Sequence, residues 1–249
     1  MRTLITAHSG CENTPPNSRA FIETALSTGC DMLEIDLNRD GDRLYLSHDR
    51  ADPAECLSFE DFLDLLEPHP EVRVNCDMKE DGCCGMVMRA ANRRGMAPQI
   101  VFTGSAHTEE AEIRSSGGEF WYGIWDPDHL ERAIASCLRT GAKIINLQSK
   151  IVTEETKARL DGLGLGFSCW TIDKEPEMRR LLTLGIYNIT TRKPILAMKL
   201  RDEIQGGAGQ CPGAHDELGG EAPAGHLVTG LCPLTYDELA CGRRDSHLT

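Results

Sequence analysis

The stretch "LEIDLNRDGDRLYLSHD", residues 33–49, puts two carboxylates, Glu34 and Asp36, two positions apart inside a run that otherwise reads as a buried strand. Side chains alternate along a strand, so Leu33, Ile35 and Leu37 take one face while Glu34 and Asp36 take the other. One apolar face and one charged face fit a closed barrel, in which the apolar side meets an outer layer of helices and the charged side lines the axis. After the RDGD turn the chain returns through a short strand, LYLS, that ends on His48 and Asp49.

Further along, VRVNCDMK (72–79) repeats the pattern, with Val72, Val74, Cys76 and Met78 on one face and Arg73, Asn75, Asp77 and Lys79 on the other. Six more strand-like runs, TLITAH, IVFTGS, EFWYGIW, AKIINLQ, GFSCWTI and YNITT, alternate with amphipathic segments such as SRAFIETALSTG and PDHLERAIASCLRTG. Gly29, Gly95, Gly141 and Gly185 stand where helices should end, and Ser58, Thr153 and Asp126-Pro127 where they should begin. Eight βα units within residues 1–205 predict an α/β fold, a (β/α)8 TIM barrel, whose reacting groups gather at the C-terminal ends of the strands. A doubly wound open sheet is the alternative, but it has no need of eight equivalent units. Residues 206–249 hold nine glycines, three prolines and six acidic residues against two arginines, and are expected to be a flexible tail.

With 39 acidic against 26 basic residues and a net charge of −13, the chain lacks the clustered Lys and Arg that a nucleic-acid or anionic-membrane surface needs. No leader pattern or long apolar run stands out, so a soluble cytoplasmic protein is expected, with a small-molecule substrate as its partner. The eleven cysteines include no CxxC pair and are expected to be reduced, buried thiols, the adjacent Cys83 and Cys84 among them.

Like charges inside a barrel cost several kcal/mol unless a cation or donors compensate them. Glu34, Asp36 and Asp77 are therefore candidate ligands of one divalent metal, and an all-oxygen set favours Mg2+ or Ca2+. Buried ion pairs among these groups are the competing explanation. Lys79, one step nearer the mouth, can meet an anionic ligand. His8 ends the first strand and His48 the short return strand, and two imidazoles beside a metal site are a candidate acid and base. Trp170, at the end of the seventh strand, is a candidate apolar wall for substrate, whereas Trp121 and Trp125 are expected to pack.

Taken together, HSG at 8–10, LEIDL at 33–37, SHD at 47–49, NCDMK at 75–79, SCWTID at 168–173 and LGIYNITTRKP at 184–194 resemble the glycerophosphodiester phosphodiesterase family over residues 1–195. The resemblance implies His8 and His48 as the catalytic pair, Glu34, Asp36 and Asp77 as metal ligands, and Lys79 as a phosphate contact. The family's Pro-Glu-Asn-Thr turn aligns with residues 15–18 rather than with the literal ENT at 12–14, so Asn17 and Ser9 join Trp170 as candidate substrate contacts. Ser9 stands where the family's phosphate-binding arginine follows the first histidine, and Pro16 replaces the glutamate of the turn. Charge for the phosphate is then expected from the metal, Lys79 or Arg73. Hydrolysis of glycerophosphodiesters to sn-glycerol 3-phosphate and an alcohol is the implied activity. A phospholipase D-like action on lysophospholipids, or a phosphodiester-binding barrel without turnover, are the alternatives.

Overall fold

Residues 2–206 are described by a computed structural model, the side chains of residues 107 and 108 excepted; the glycine-rich segment expected as a tail lies, beyond Gly206, outside the described residues. Ten strands alternate with eight α-helices. In chain order these are β1 (Leu4–Ala7), α1 (Arg19–Thr28), β2 (Met32–Asp40), β3 (Arg43–Leu46), α2 (Phe59–Leu66), β4 (Arg73–Met78), α3 (Cys84–Arg93), β5 (Ile100–Gly104) and α4 (Glu110–Ser115). There follow β6 (Glu119–Phe120), β7 (Tyr122–Ile124), α5 (Leu130–Thr140), β8 (Ile144–Gln148), α6 (Glu154–Gly162), β9 (Gly166–Trp170), α7 (Glu175–Leu184), β10 (Asn188–Thr191) and α8 (Pro194–Gln205).

The strands join in the order β6-β5-β4-β2-β1-β10-β9-β8-β7, all in parallel, with β3 folded back antiparallel on β2. β6 and β7, the two ends of this path, are one run of chain interrupted only at Trp121, whose N–H donates to the Phe102 carbonyl at 3.0 Å. The sheet therefore closes on itself as an eight-stranded barrel. The ten strands are the eight expected ones, with the fifth broken at Trp121 and the return strand β3 added.

Local chemistry explains the element ends. Ser18, Ser58 and Thr153 each accept a hydrogen bond from a backbone N–H in the first turn of α1, α2 and α6. The α1 cap at Ser18 puts the helix start after the 15–18 turn and not at ENT; Glu12 instead accepts a 3.3 Å bond from the Ile195 N–H at the start of α8. Outside the barrel, Leu33, Ile35 and Leu37 of β2 and Val74, Cys76 and Met78 of β4 pack with Phe21 and Ile22 of α1 and Phe59, Phe62 and Leu63 of α2. Each such buried side chain contributes about 1.5–3 kcal/mol.

Inside, the barrel is layered along its axis. Met32, Val101, Trp121 and Ile144, from the N-terminal ends of their strands, form an apolar plug with Leu4 and Tyr187. Above it lies a band of paired polar groups, in which Thr6 Oγ1 donates to Asn188 Oδ1 and Asn188 Nδ2 to Ser168 Oγ, both at 2.8 Å. Charged groups occupy the C-terminal mouth. Among the described residues no helix is long and apolar enough to cross a membrane.

Candidate active site

Parallel pairing sets β2 beside β4 with Glu34 level with Asn75 and Asp36 level with Asp77. The inward faces of both strands thus bring three carboxylates together, as the alternation predicts. Asn75 Nδ2 donates to Glu34 Oε2 at 3.1 Å, and Thr103 Oγ1 donates to Asp77 Oδ1 at 3.2 Å. Lys79 places its ammonium between the two aspartates, 2.7 Å from Asp36 Oδ1 and 2.6 Å from Asp77 Oδ2. Burial pushes the Glu34 carboxyl up to about 7; His8 pulls against this, while Asp77 and Asp36 add to it. Burial also works against the charge of Lys79, but Asp77 and Asp36 outweigh it and hold the amine above its usual range.

His8 directly follows β1, and its N–H donates to the Thr191 carbonyl at 2.8 Å. Its Nδ1 lies 2.9 Å from the Ser9 carbonyl oxygen, which can only accept, so Nδ1 carries the proton and Nε2 turns to Glu34 Oε1 at 3.5 Å. The β2–β3 hairpin carries His48 to the same cavity: Ser47 N–H donates to the Asp36 carbonyl, and Asn38 Nδ2 holds the Ser47 carbonyl. His48 is exposed, with Nδ1 3.1 Å from Asp49 Oδ1.

These groups line one cavity of about 370 Å³, which takes in His8, Glu34, Asp36, His48, Asp77, Lys79 and Trp170. Two surface clefts of about 620 Å³ are larger, but neither holds the carboxylates; the second runs from Asn17 and His48 along the start of α1 and so adjoins the mouth. Ser9 and Asn17 do not line this cavity, and Asn17 lines the adjoining cleft. The Ser9 hydroxyl is buried and accepts the Asn17 N–H at 2.9 Å. Asn17 in turn clasps Asp36, donating through Nδ2 to Oδ2 at 2.8 Å and accepting the Asp36 N–H on Oδ1 at 3.0 Å. The hydrogen bonds thus run from Ser9 through Asn17 to Asp36.

Two expectations are corrected. Arg73 does point inward, but from the N-terminal end of β4, where it pairs with Glu119 and lies 3.4 Å from Tyr187 Oη. Four residue steps along the strand, about 13 Å, separate it from the level of Asp77. Trp125 is not packed in the core as Trp121 is. It is 54% exposed and meets Trp170 edge to face, ring centres 5.8 Å apart, on the rim of the cavity. Alternation from Trp121 through Gly123 was the signal: it keeps Trp125 on the inward side, past the strand's end. Asn146 and Arg192 also line the cavity, and neither stood out in the sequence. Asn146 Oδ1 and Trp170 Nε1 are buried without a partner among the described residues.

The donor chemistry of Glu34, Asp36 and Asp77 fits a hard divalent cation, since all are carboxylates and Glu34 lacks a full counter-charge. As they stand, Lys79 compensates two of the three, and among the described residues no three His, Cys, Asp or Glu side chains close on a common point.

No family model matches the sequence, and no curated protein does. Solved structures do match the fold. A glycerophosphodiester phosphodiesterase from Parabacteroides distasonis is 17% identical, with a TM-score of 0.68 over 81% of this chain and 98% of its own. One from Agrobacterium tumefaciens is 16% identical, with a TM-score of 0.67 over 80% and 99%. An Oleispira antarctica phosphodiesterase, solved with its product sn-glycerol 3-phosphate, is 12% identical, with a TM-score of 0.68 over 80% and 96%. The likeness is one of fold and spans almost the whole of each of these enzymes.

Proposed function

We propose that the protein is a phosphoric diester hydrolase that cleaves a glycerophosphodiester to sn-glycerol 3-phosphate and an alcohol. One observation carries this reading: two histidines, three carboxylates and a lysine from four strands converge on one cavity at the C-terminal mouth, where barrel enzymes hold their reacting groups. The fold it shares with glycerophosphodiester phosphodiesterases supports it.

In an in-line displacement one imidazole takes a proton from the attacking water as its oxygen bonds to phosphorus, and the other gives a proton to the leaving alkoxide as the old phosphorus–oxygen bond breaks. His8 is suited to such work because the Ser9 carbonyl holds its Nδ1 proton and leaves Nε2 toward the cavity. Glu34, Asp36 and Asp77 would hold a divalent cation, which would supply charge to neutralise the phosphate oxygens. Lys79, whose ammonium sits between Asp36 and Asp77, supplies a further positive charge for the phosphate.

Turnover of a panel of glycerophosphodiesters by the purified protein, with and without chelator, tests this reading. EDTA should abolish activity and Mg2+ or Ca2+ restore it, and Asp36→Ala should lose metal binding by calorimetry while remaining folded. Undiminished turnover in excess chelator would show that Lys79 is the resident counter-charge and that no metal is used. A second reading, phospholipase D-like cleavage of lysophospholipids, is favoured by the apolar rim of Trp125 and Trp170. A preference above tenfold for diesters carrying an acyl chain would move the assignment to it.

A further inference from the structure

A phosphodiester is an anion, and the cavity meets it with three carboxylates. The basic residues that could answer it are few. Lys79 sits on Asp36 and Asp77, Arg73 is bound to Glu119 at the far end of the barrel, and position 9 holds a serine whose hydroxyl is occupied by the Asn17 N–H. The two imidazoles are assigned to protons. Besides Lys79 and the histidines, one basic residue lines the cavity, Arg192.

Arg192 directly follows β10, the eighth strand of the ring, and its setting is built from three sides. Its backbone N–H donates to Asp173 Oδ1 at 2.8 Å, and its Nη1 donates to Asp173 Oδ2 at 2.9 Å. Its carbonyl accepts the Glu12 N–H at 2.8 Å. Asp173 is itself held by the Thr191 hydroxyl at 3.2 Å. Burial pushes the Asp173 carboxyl up, but the Arg192 amide and guanidinium and the Thr191 hydroxyl outweigh this, so it stays ionised below the usual carboxylate range. Only Nη1 of the guanidinium is engaged among the described residues. A guanidinium fixed on one side by a carboxylate and open on the other presents a preorganised fork of donors suited to two phosphoryl oxygens. Its place fits as well, because barrels frequently bind phosphate with the loops after their seventh and eighth strands, and Asp173 and Arg192 lie in those two loops.

We infer that Arg192, steered by Asp173, binds the phosphoryl group of the substrate and supplies at the end of the eighth strand the positive charge that Ser9 cannot. This rests on the phosphodiesterase reading for the identity of the substrate, but the anion site itself does not. In this scheme Arg192 touches substrate and Asp173 is a positioning residue.

The test uses the full chain, with inorganic phosphate as the probe and a glycerophosphodiester as substrate, for wild type, Arg192→Ala, Arg192→Lys and Asp173→Asn. Arg192→Ala should weaken phosphate inhibition and raise KM by at least ~10-fold, with the melting temperature little changed. Arg192→Lys, which keeps the charge and loses the fork, should recover part of the loss. Asp173→Asn should fall between them, its effect on KM exceeding that on kcat. If wild type turns over diesters and Arg192→Ala leaves KM and phosphate inhibition unchanged, the inference is wrong and the phosphodiesterase reading stands. If wild type cleaves no diester yet binds phosphate through Arg192 by calorimetry, the function reading falls and the anion site survives. Wild type that binds no phosphate at millimolar concentration overturns the inference. Should Arg192→Ala fail to fold, Arg192→Lys against wild type decides it by the same two readouts.

Discussion

At the scale of single residues, the two histidines differ in setting. His8 is partly buried with one ring nitrogen fixed by a carbonyl, whereas His48 is exposed beside Asp49. As an acid and base pair, each should lose ~10²- to 10⁴-fold in kcat on replacement by alanine, with metal affinity by calorimetry nearly unchanged. A p-nitrophenyl phosphodiester has a leaving group that needs no proton, so it should rescue one mutant and not the other, which assigns the roles. Wild-type kcat in both mutants on the natural substrate would make the histidines structural. The acids and histidines were legible because a charge on the inward face of a strand is costly and so conspicuous. Arg192 was not, because an arginine after a strand resembles any solvated end until its neighbours are known.

At the scale of elements, the hairpin of β2 and β3 and the alternation of β4 follow from spacing alone, and so do the helix starts, because a cap involves residues only two or three apart. What spacing cannot show is close approach between neighbours. Gly104, at the end of β5, has φ +70, and a Cβ there would lie 2.4 Å from both Asp77 Oδ1 and the Met78 carbonyl. Gly104→Ala should therefore cost about 1–3 kcal/mol in urea unfolding and reduce turnover more than a distant mutation of equal destabilisation, since Asp77 must shift to make room. Equal turnover per folded molecule would show that Asp77 tolerates displacement. The break between β6 and β7 was likewise invisible in EFWYGIW, whose alternation runs through Trp121 without a flaw.

At the scale of the molecule, closing the ring brings α8, the last helix among the described residues, back to the first strands. Arg201 of α8, 2% exposed, pairs with Asp31 and donates to the Thr3 carbonyl at 3.1 Å, while Asp31 Oδ2 accepts the Ile5 N–H at 2.7 Å. One guanidinium thus ties the end of the barrel domain to β1 and to the start of β2. Removing one partner of a buried pair leaves the other uncompensated, so Arg201→Ala should lower stability by roughly 3 kcal/mol by chemical denaturation, with the residual activity of the folded fraction intact. A loss under ~1 kcal/mol would mean that water replaces the guanidinium without penalty.

The sequence by itself determined the number and order of the βα units, the inward faces of β2 and β4, and the charged residues those faces present. These are local properties, written in periods of two and 3.6 and in caps a few residues long. Only the tertiary structure decided that Lys79 bridges Asp36 and Asp77, that Arg73 belongs to the opposite end of the barrel, that hydrogen bonds run from Ser9 through Asn17 to Asp36, and that Arg192 with Asp173 completes the mouth. Most of these contacts join groups on different strands and loops, and all depend on depth along the axis and on which elements become neighbours around the ring. A closed sheet sets both at once, and no period in the chain encodes either.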